Sequence, residues 1–213
     1  MSKVKLTFTA LAAIIAFSAI ASVAASAAAP GWMVEGKDLA AGDRENMEEA
    51  VVRLAGYKLA SGTTEIECTT LKIEGGFIEG VNRNGAKSLK FTGCKALTVN
   101  CTLSNPAIST LPILSEATLD PPNASAAVIV FKPETGTLFA TFKFEGEKCP
   151  TAGIKPVTGT QAALAPTGAT EKATQVLTTI ELVAGELKLG SAAAKLTASL
   201  EVKLESGKPF SFL

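Results

Sequence analysis

Cys68-Thr69-Thr70-Leu71-Lys72-Ile73-Glu74-Gly75-Gly76, then Leu89-Lys90-Phe91-Thr92-Gly93-Cys94, then Val99-Asn100-Cys101-Thr102: these pieces hold three of the chain's four cysteines. Each cysteine sits on or beside a segment in which apolar and polar residues alternate, the period of two that a half-buried strand requires. Just before this block, Glu65 and Glu67 fall on one side and Ile66 and Cys68 on the other. Leu71 and Ile73 then fall out of phase with Ile66 and Cys68, which predicts a bulge or bend at Thr69-Thr70. Gly75-Gly76 turns the chain into 77–81, and Asn82-Arg83-Asn84-Gly85 reads as a tight turn, Asn-Gly supplying the positive φ angles of type I′. The strand Ser88–Thr92 follows and delivers Cys94.

Downstream, 104–125 carries Pro106, Pro112, Pro121 and Pro122. Proline interrupts ladder bonding, so the segment reads as an edge plus a long connection and is the candidate sub-boundary of the chain. Residues 126–131 are nearly all apolar and read as a central strand. In 137–145, Leu138, Ala140, Phe142 and Phe144 share one face, opposite Thr141, Lys143 and Glu145. A short strand is expected over 154–160, a flexible Ala/Thr/Gly loop over 161–173, and strands over 176–183 and 186–189. The last strand, 196–204, alternates without error: Leu196, Ala198, Leu200, Val202 and Leu204 inward, Thr197, Ser199, Glu201 and Lys203 outward. Leu164-Ala165-Pro166-Thr167-Gly168 resembles a sortase anchoring motif with its proline misplaced, and reads as part of the loop.

Upstream, 30–39 reads as a short strand anchored by the chain's one tryptophan, Trp32, as a core residue. The stretch 43–55 is open. Met47, Ala50, Val51 and Leu54 share a helical face between a capping Asp43 and a terminating Gly56, which locally favours a helix slightly. Read as strands, 50–54 and 57–59 flank a tight turn at Ala55-Gly56. Thr, Ala, Gly, Val and Leu dominate the composition, and turn residues recur at short intervals. The expected fold is all-β, an antiparallel β-sandwich or a β-barrel-like domain.

At the N-terminus, Lys3 and Lys5 precede an apolar run from Leu6 to about Ile20, and small residues end in Ala25-Ser26-Ala27. This is the pattern of a cleaved signal peptide, with cleavage after Ala27, or alternatively after Ala25 or Ala29. The expected organisation is therefore a signal peptide at 1–27 and a secreted β-rich domain at 28–213. No later run is apolar and long enough to cross a membrane as a helix. An outer-membrane barrel needs aromatic girdles, for which one Tyr and one Trp do not suffice. The expected location is extracellular or on the cell surface.

Without Lys3 and Lys5, 18 basic residues face 20 acidic ones, a formal charge of −2. That balance disfavours nucleic acid and anionic membranes as partners, since both select clustered positive charge. The chain contains no histidine. That excludes Ser-His-Asp and Cys-His catalysis, His-ligated metal and an imidazole pH switch. No cofactor loop or metal-ligand spacing appears, and no catalytic residue is assigned. Cys68, Cys94, Cys101 and Cys149 read as two disulfides. Cys68–Cys94 with Cys101–Cys149 is the preferred pairing, and Cys94–Cys101 with Cys68–Cys149 the alternative. Asn100-Cys101-Thr102 and Asn123-Ala124-Ser125 match the glycosylation pattern by accident of composition.

Trp32-x-Val34-x-Gly36-x-x-Leu39, Ile66-x-Cys68-Thr69 and Phe91-x-x-Cys94 followed by Cys101 resemble landmarks of small exported four-cysteine proteins of soil actinobacteria. The resemblance implies a β-rich secreted domain and turns 43–55 toward strand. It brings no activity with it. The reading is a secreted, non-enzymatic β-domain: a binding module or a structural component of the cell surface or matrix, its ligand unknown. Two other readings compete. A glycosidase-like hydrolase would use paired carboxylates, with Glu65/Glu67 and Glu74/Glu79 as the available clusters. A carrier of small apolar ligands would show an unfilled apolar cavity.

Overall fold

The structure, a computed structural model, describes residues 31–49, 51–53, 57–120, 123–166, 171–180 and 186–212. The expected signal peptide lies outside the described residues, as do the turn at Ala55-Gly56, the pair Pro121-Pro122, residues 167–170 and the end of the expected strand at 176–183. All regular structure among the described residues is β-strand, and all its pairing is antiparallel.

The largest sheet has eight strands, in the order Ser199–Lys203, Thr174–Ile180, Gln161–Pro166, Asn123–Pro133, Ile113–Asp120, Arg83–Ala86, Phe77–Glu79 and Arg44–Asn46. It curls until its two edges meet. Just past those edge strands, Met47 and Leu204 form an antiparallel bridge. Glu48 N–H donates to the Lys203 carbonyl at 2.8 Å, and Glu205 N–H to the Asn46 carbonyl at 2.9 Å. The result is a curled, half-barrel sheet, here called the barrel, whose two edges meet at one two-bond seam. Its buried side chains are mostly apolar, many of them small, among them Ala117, Ala127, Ala163 and Val202, with Asn84, Ser115 and Gln175 as buried polar residues. Glu116, Thr118, Lys132 and Glu201 are exposed.

A three-stranded sheet of Lys37–Asp38, Trp32–Val34 and Phe210–Phe212 packs against the barrel core. Trp32 is buried, with the Phe212 ring edge-on at 5.2 Å and the Phe210 ring at 6.4 Å. The Gln175 amide donates to the Phe210 carbonyl, and Phe210, Ser211 and Phe212 are all buried.

Three smaller sheets surround the second core. Ile108–Ser109, Ser88–Thr92, Thr70–Glu74 and Val51–Arg53 form one, and Lys95–Ala96, Thr64–Glu67, Lys58–Ser61 and Lys195–Thr197 another. The third runs Thr102–Leu103, Leu138–Glu145, Gly153–Thr158, Lys188–Leu189 and Ala192–Ala193. The expected bend at Thr69-Thr70 is where the chain leaves one four-stranded sheet for the other. The returning strands make the same transfer between Thr92 and Lys95, and the Cys68–Cys94 disulfide ties the two crossings together. Cys101–Cys149 joins the start of Thr102–Leu103 to the turn that follows Leu138–Glu145, beside the Thr102–Glu145 strand pair.

Several local expectations are corrected. The stretch 43–55 holds strands Arg44–Asn46 and Val51–Arg53, so the local preference for a helix gives way to pairing with distant strands. Val51–Arg53 and Lys58–Ser61 join different sheets and do not form a hairpin. The turn expected at Asn84-Gly85 lies instead at Gly80-Val81-Asn82, with Val81 and Asn82 left-handed at φ 63° and 60°. Asn84 and Gly85 are inside a strand, where the Ile113 carbonyl would lie 2.5 Å from any Cβ at position 85. Tertiary pairing with Ile113–Asp120 outweighs local turn propensity here.

The segment 104–125 is not a long connection. It contains Ile113–Asp120, paired on both sides, with Pro112 just outside its first residue. Likewise the loop expected at 161–173 begins as the strand Gln161–Pro166, which also takes in Leu164-Ala165-Pro166. Ala162 and Ala163 are almost fully buried. The final strand is two: Lys195–Thr197 and Ser199–Lys203 change sheets at Ala198.

Candidate binding cavity between the two cores

The buried apolar residues fall into two clusters. One holds Trp32, Ile78, Ala117, Ile129, Leu204 and Phe210 in and beside the barrel; the other holds Tyr57, Leu59, Ile66, Phe142, Phe144 and all four cysteines. Leu89, Phe131 and Leu200 pack against both. Where the clusters meet lies a cavity of about 150 Å³, lined from both sides. The barrel side contributes Met47, Ala163 and Val202 to its wall, and the smaller sheets contribute Tyr57, Ile73, Phe91, Phe139, Ala140 and Phe142.

Local structure explains the aromatic wall. The strand Leu138–Glu145 slips register between Leu138 and Ala140, so Phe139 and Ala140 are both buried before regular alternation resumes at Phe142 and Phe144. Tyr57 lies against Phe91 with ring centroids 4.7 Å apart. Burial pushes the Tyr57 phenol above its usual range. The lining is polar at Asn84, Thr110 and Gln161, and no charged residue among the described ones takes part. Asn84 is held from behind, its side-chain oxygen accepting from the Ser115 hydroxyl, which also bonds the Asn84 carbonyl at 3.2 Å.

Protein interiors are packed as densely as organic crystals, with few voids larger than a water molecule. At about 24 cal/mol per Å³, an empty cavity of this size costs on the order of 3–4 kcal/mol. Apolar walls give water too few partners to recover that loss. An occupant of matching shape would.

The paired carboxylates of the hydrolase reading lie elsewhere. Glu65 and Glu67 flank the buried Ile66 and are ion-paired with Lys58 at 2.7 Å and Lys95 at 3.0 Å. Glu74 accepts from the Ser88 hydroxyl at 2.8 Å, and Glu79 pairs with Arg83 at 3.1 Å. Each meets a partner on an outer face, and none of the four lines the cavity. Glu49 accepts from the Gly75 N–H and pairs with Lys72, and these contacts hold its carboxyl below the usual range. Among the described residues no cluster of cysteine and acidic side chains is arranged to hold a metal ion.

Sequence reasoning did not find the cavity residues. Alternation marks Leu196, Leu200 and Val202 as inward, but whether inward side chains meet or fall short depends on how the strands converge. The unpaired Phe139 leaves no trace in a period of two. The four cysteines are joined Cys68–Cys94 and Cys101–Cys149, and all four are buried. No helix among the described residues is long and apolar enough to cross a membrane. No protein family, no curated protein and no solved structure matches this chain.

Proposed function

We propose that the mature chain is an exported, non-enzymatic binding domain that encloses a small apolar ligand between its two cores. The cavity is the observation that carries this reading, because it is the feature a carrier of apolar ligands requires and a purely structural shell does not. Two buried disulfides suit an oxidising location. The leader-like N-terminus and the likeness to small exported actinobacterial proteins support the same location. The ion-paired carboxylates on outer faces offer the hydrolase reading no enclosed acid and base.

Mass spectrometry of the protein from culture medium tests both parts. Unreduced, the chain is expected to start near Ala28 and to resist alkylation until reduced, when it gains four hydrogens. Organic extraction of the same folded protein is expected to release a small apolar compound that an extract of unfolded protein lacks. An intact leader or free thiols would sink the export half. An empty extract, together with no uptake of added apolar compounds, would sink the binding half.

A further inference from the structure

We propose that the occupant is a single uncharged ring, aromatic by preference, of about six to ten non-hydrogen atoms. This rests on the binding reading above and narrows it to a ligand class. Three observations set the class: the volume, the wall chemistry and the shape of the lining.

Volume comes first. Drug-sized ligands occupy pockets of roughly 300–1,000 Å³, whereas an apolar cavity of roughly 150 Å³ in another protein is known to take benzene. The cavity here, about 150 Å³, matches the second case and leaves no room for a long acyl chain or a fused-ring sterol. Charge comes second. Among the described residues no Asp, Glu, Lys or Arg lines the wall, so an ionised ligand would be left unpaired against apolar surface. Shape comes third. Tyr57, Phe91, Phe131, Phe139 and Phe142 supply rings, and the Tyr57–Phe91 pair is tilted by 38°. Such walls favour a flat partner that can meet ring faces and edges in offset or edge-on geometry. Asn84 and Thr110 allow one polar substituent at most a short reach from the ring.

The position also supplies its own reporter. Tyr57 is the chain's one tyrosine and lines the cavity; Trp32 is its one tryptophan and does not. Binding should therefore change the tyrosine signal and leave the tryptophan signal in place.

The test titrates full-length oxidised protein with benzene, toluene and cyclohexane, and separately with palmitate, following tyrosine fluorescence and thermal unfolding. The rings are expected to bind with dissociation constants between about 10 µM and a few mM. At ten times that concentration, the midpoint should rise by about 3–6 °C. The variant Ala140→Leu places a larger side chain in the cavity wall and should lose this shift while remaining folded. Ala163→Leu, on the opposite wall, should lose it as well, so misfolding of one variant does not end the test. Binding of palmitate without the rings would overturn the ring assignment and leave the carrier reading standing. Binding of the rings with full strength in both variants would overturn this site. Binding of no probe would overturn both readings.

Discussion

The barrel and the disulfide-bearing sheets solve the same problem in opposite ways. Around the barrel the backbone joins the parts: Ile113–Asp120 and Asn123–Pro133 run side by side for most of their length, and the eight strands close on themselves through Met47 and Leu204. With the ladder this continuous, inward side chains need only be small enough to fit, and Ala117, Ala127 and Ala163 occupy central positions. The other half uses strands as short as Lys95–Ala96, Thr102–Leu103 and Ile108–Ser109. Two-residue strands hold each other weakly. Here both disulfides and large aromatics, Tyr57, Phe91, Phe142 and Phe144, do the joining. Small residues and large ones do not interdigitate perfectly where they meet, and the cavity lies along that border.

The largest expected effect separates the halves directly. Replacing Cys101 and Cys149 together by Ala removes a link spanning 48 residues, worth about 4 kcal/mol in the chain-entropy view. Hydrogen exchange should show protection falling first in Thr102–Leu103 and Leu138–Glu145, with the paired Ile113–Asp120 and Asn123–Pro133 holding longest. An equal loss in both halves would erase the distinction.

A second variant attacks the barrel by overfilling it. Ala127 is fully buried and does not line the cavity, so Ala127→Leu forces extra volume into a packed site and should cost about 1–3 kcal/mol in urea unfolding. The same substitution at Ala140, where there is space to receive it, should cost under about 1 kcal/mol. If both positions cost the same, the cavity is not open to side chains.

This contrast also explains what could be read from the sequence. The disulfide half announces itself: Ile66, Cys68, Leu71, Ile73 and Phe91 alternate with polar residues, and all five are buried. The barrel is quieter. Gln161-Ala162-Ala163-Leu164 lacks contrast between its faces, so its strand resembles a loop until neighbours on both sides supply ladder partners. The prolines of 104–125 suggested a break, yet Pro112 stands at the threshold of a strand and leaves its bonding intact. Asn84-Gly85 carries the local signal of a turn, but the strand beside it needs the glycine for close approach. The cavity was beyond reach because it depends on distances between elements remote in sequence.

The tyrosine gives a smaller, pH-dependent effect confined to the disulfide half. Burial raises the folded-state pKa of Tyr57 above its ordinary value near 10. The unfolded chain therefore loses this proton first. Its contribution to stability is fully present below about pH 10 and falls as pH rises from there toward the folded value, by about 1.4 kcal/mol per pH unit. Tyr57→Phe should make the alkaline loss shallower by that slope. Lys208, its pKa raised by hydrogen bonding to Glu35, titrates in the same direction but is common to both proteins and cancels in the difference. Identical alkaline profiles would mean that the phenol reaches water.

The smallest expected effect tests the barrel's packing against Trp32. Trp32 Nε1, Gln175 Oε1 and Ser211 Oγ are buried with no hydrogen-bond partner among the described residues. A buried hydroxyl without a partner gives up its hydration and recovers nothing. Ser211→Ala removes that group at almost constant shape, so it should stabilise the protein by about 0.5–1 kcal/mol, read as a higher urea midpoint at unchanged slope. The opposite sign would carry its own lesson. A loss of more than about 0.5 kcal/mol would mean that a buried water links the three groups, a donor, an acceptor and a hydroxyl that can be either. This end of the barrel would then be joined by a polar network, and the half that depends on small apolar side chains would contain an exception at the strand that ends it.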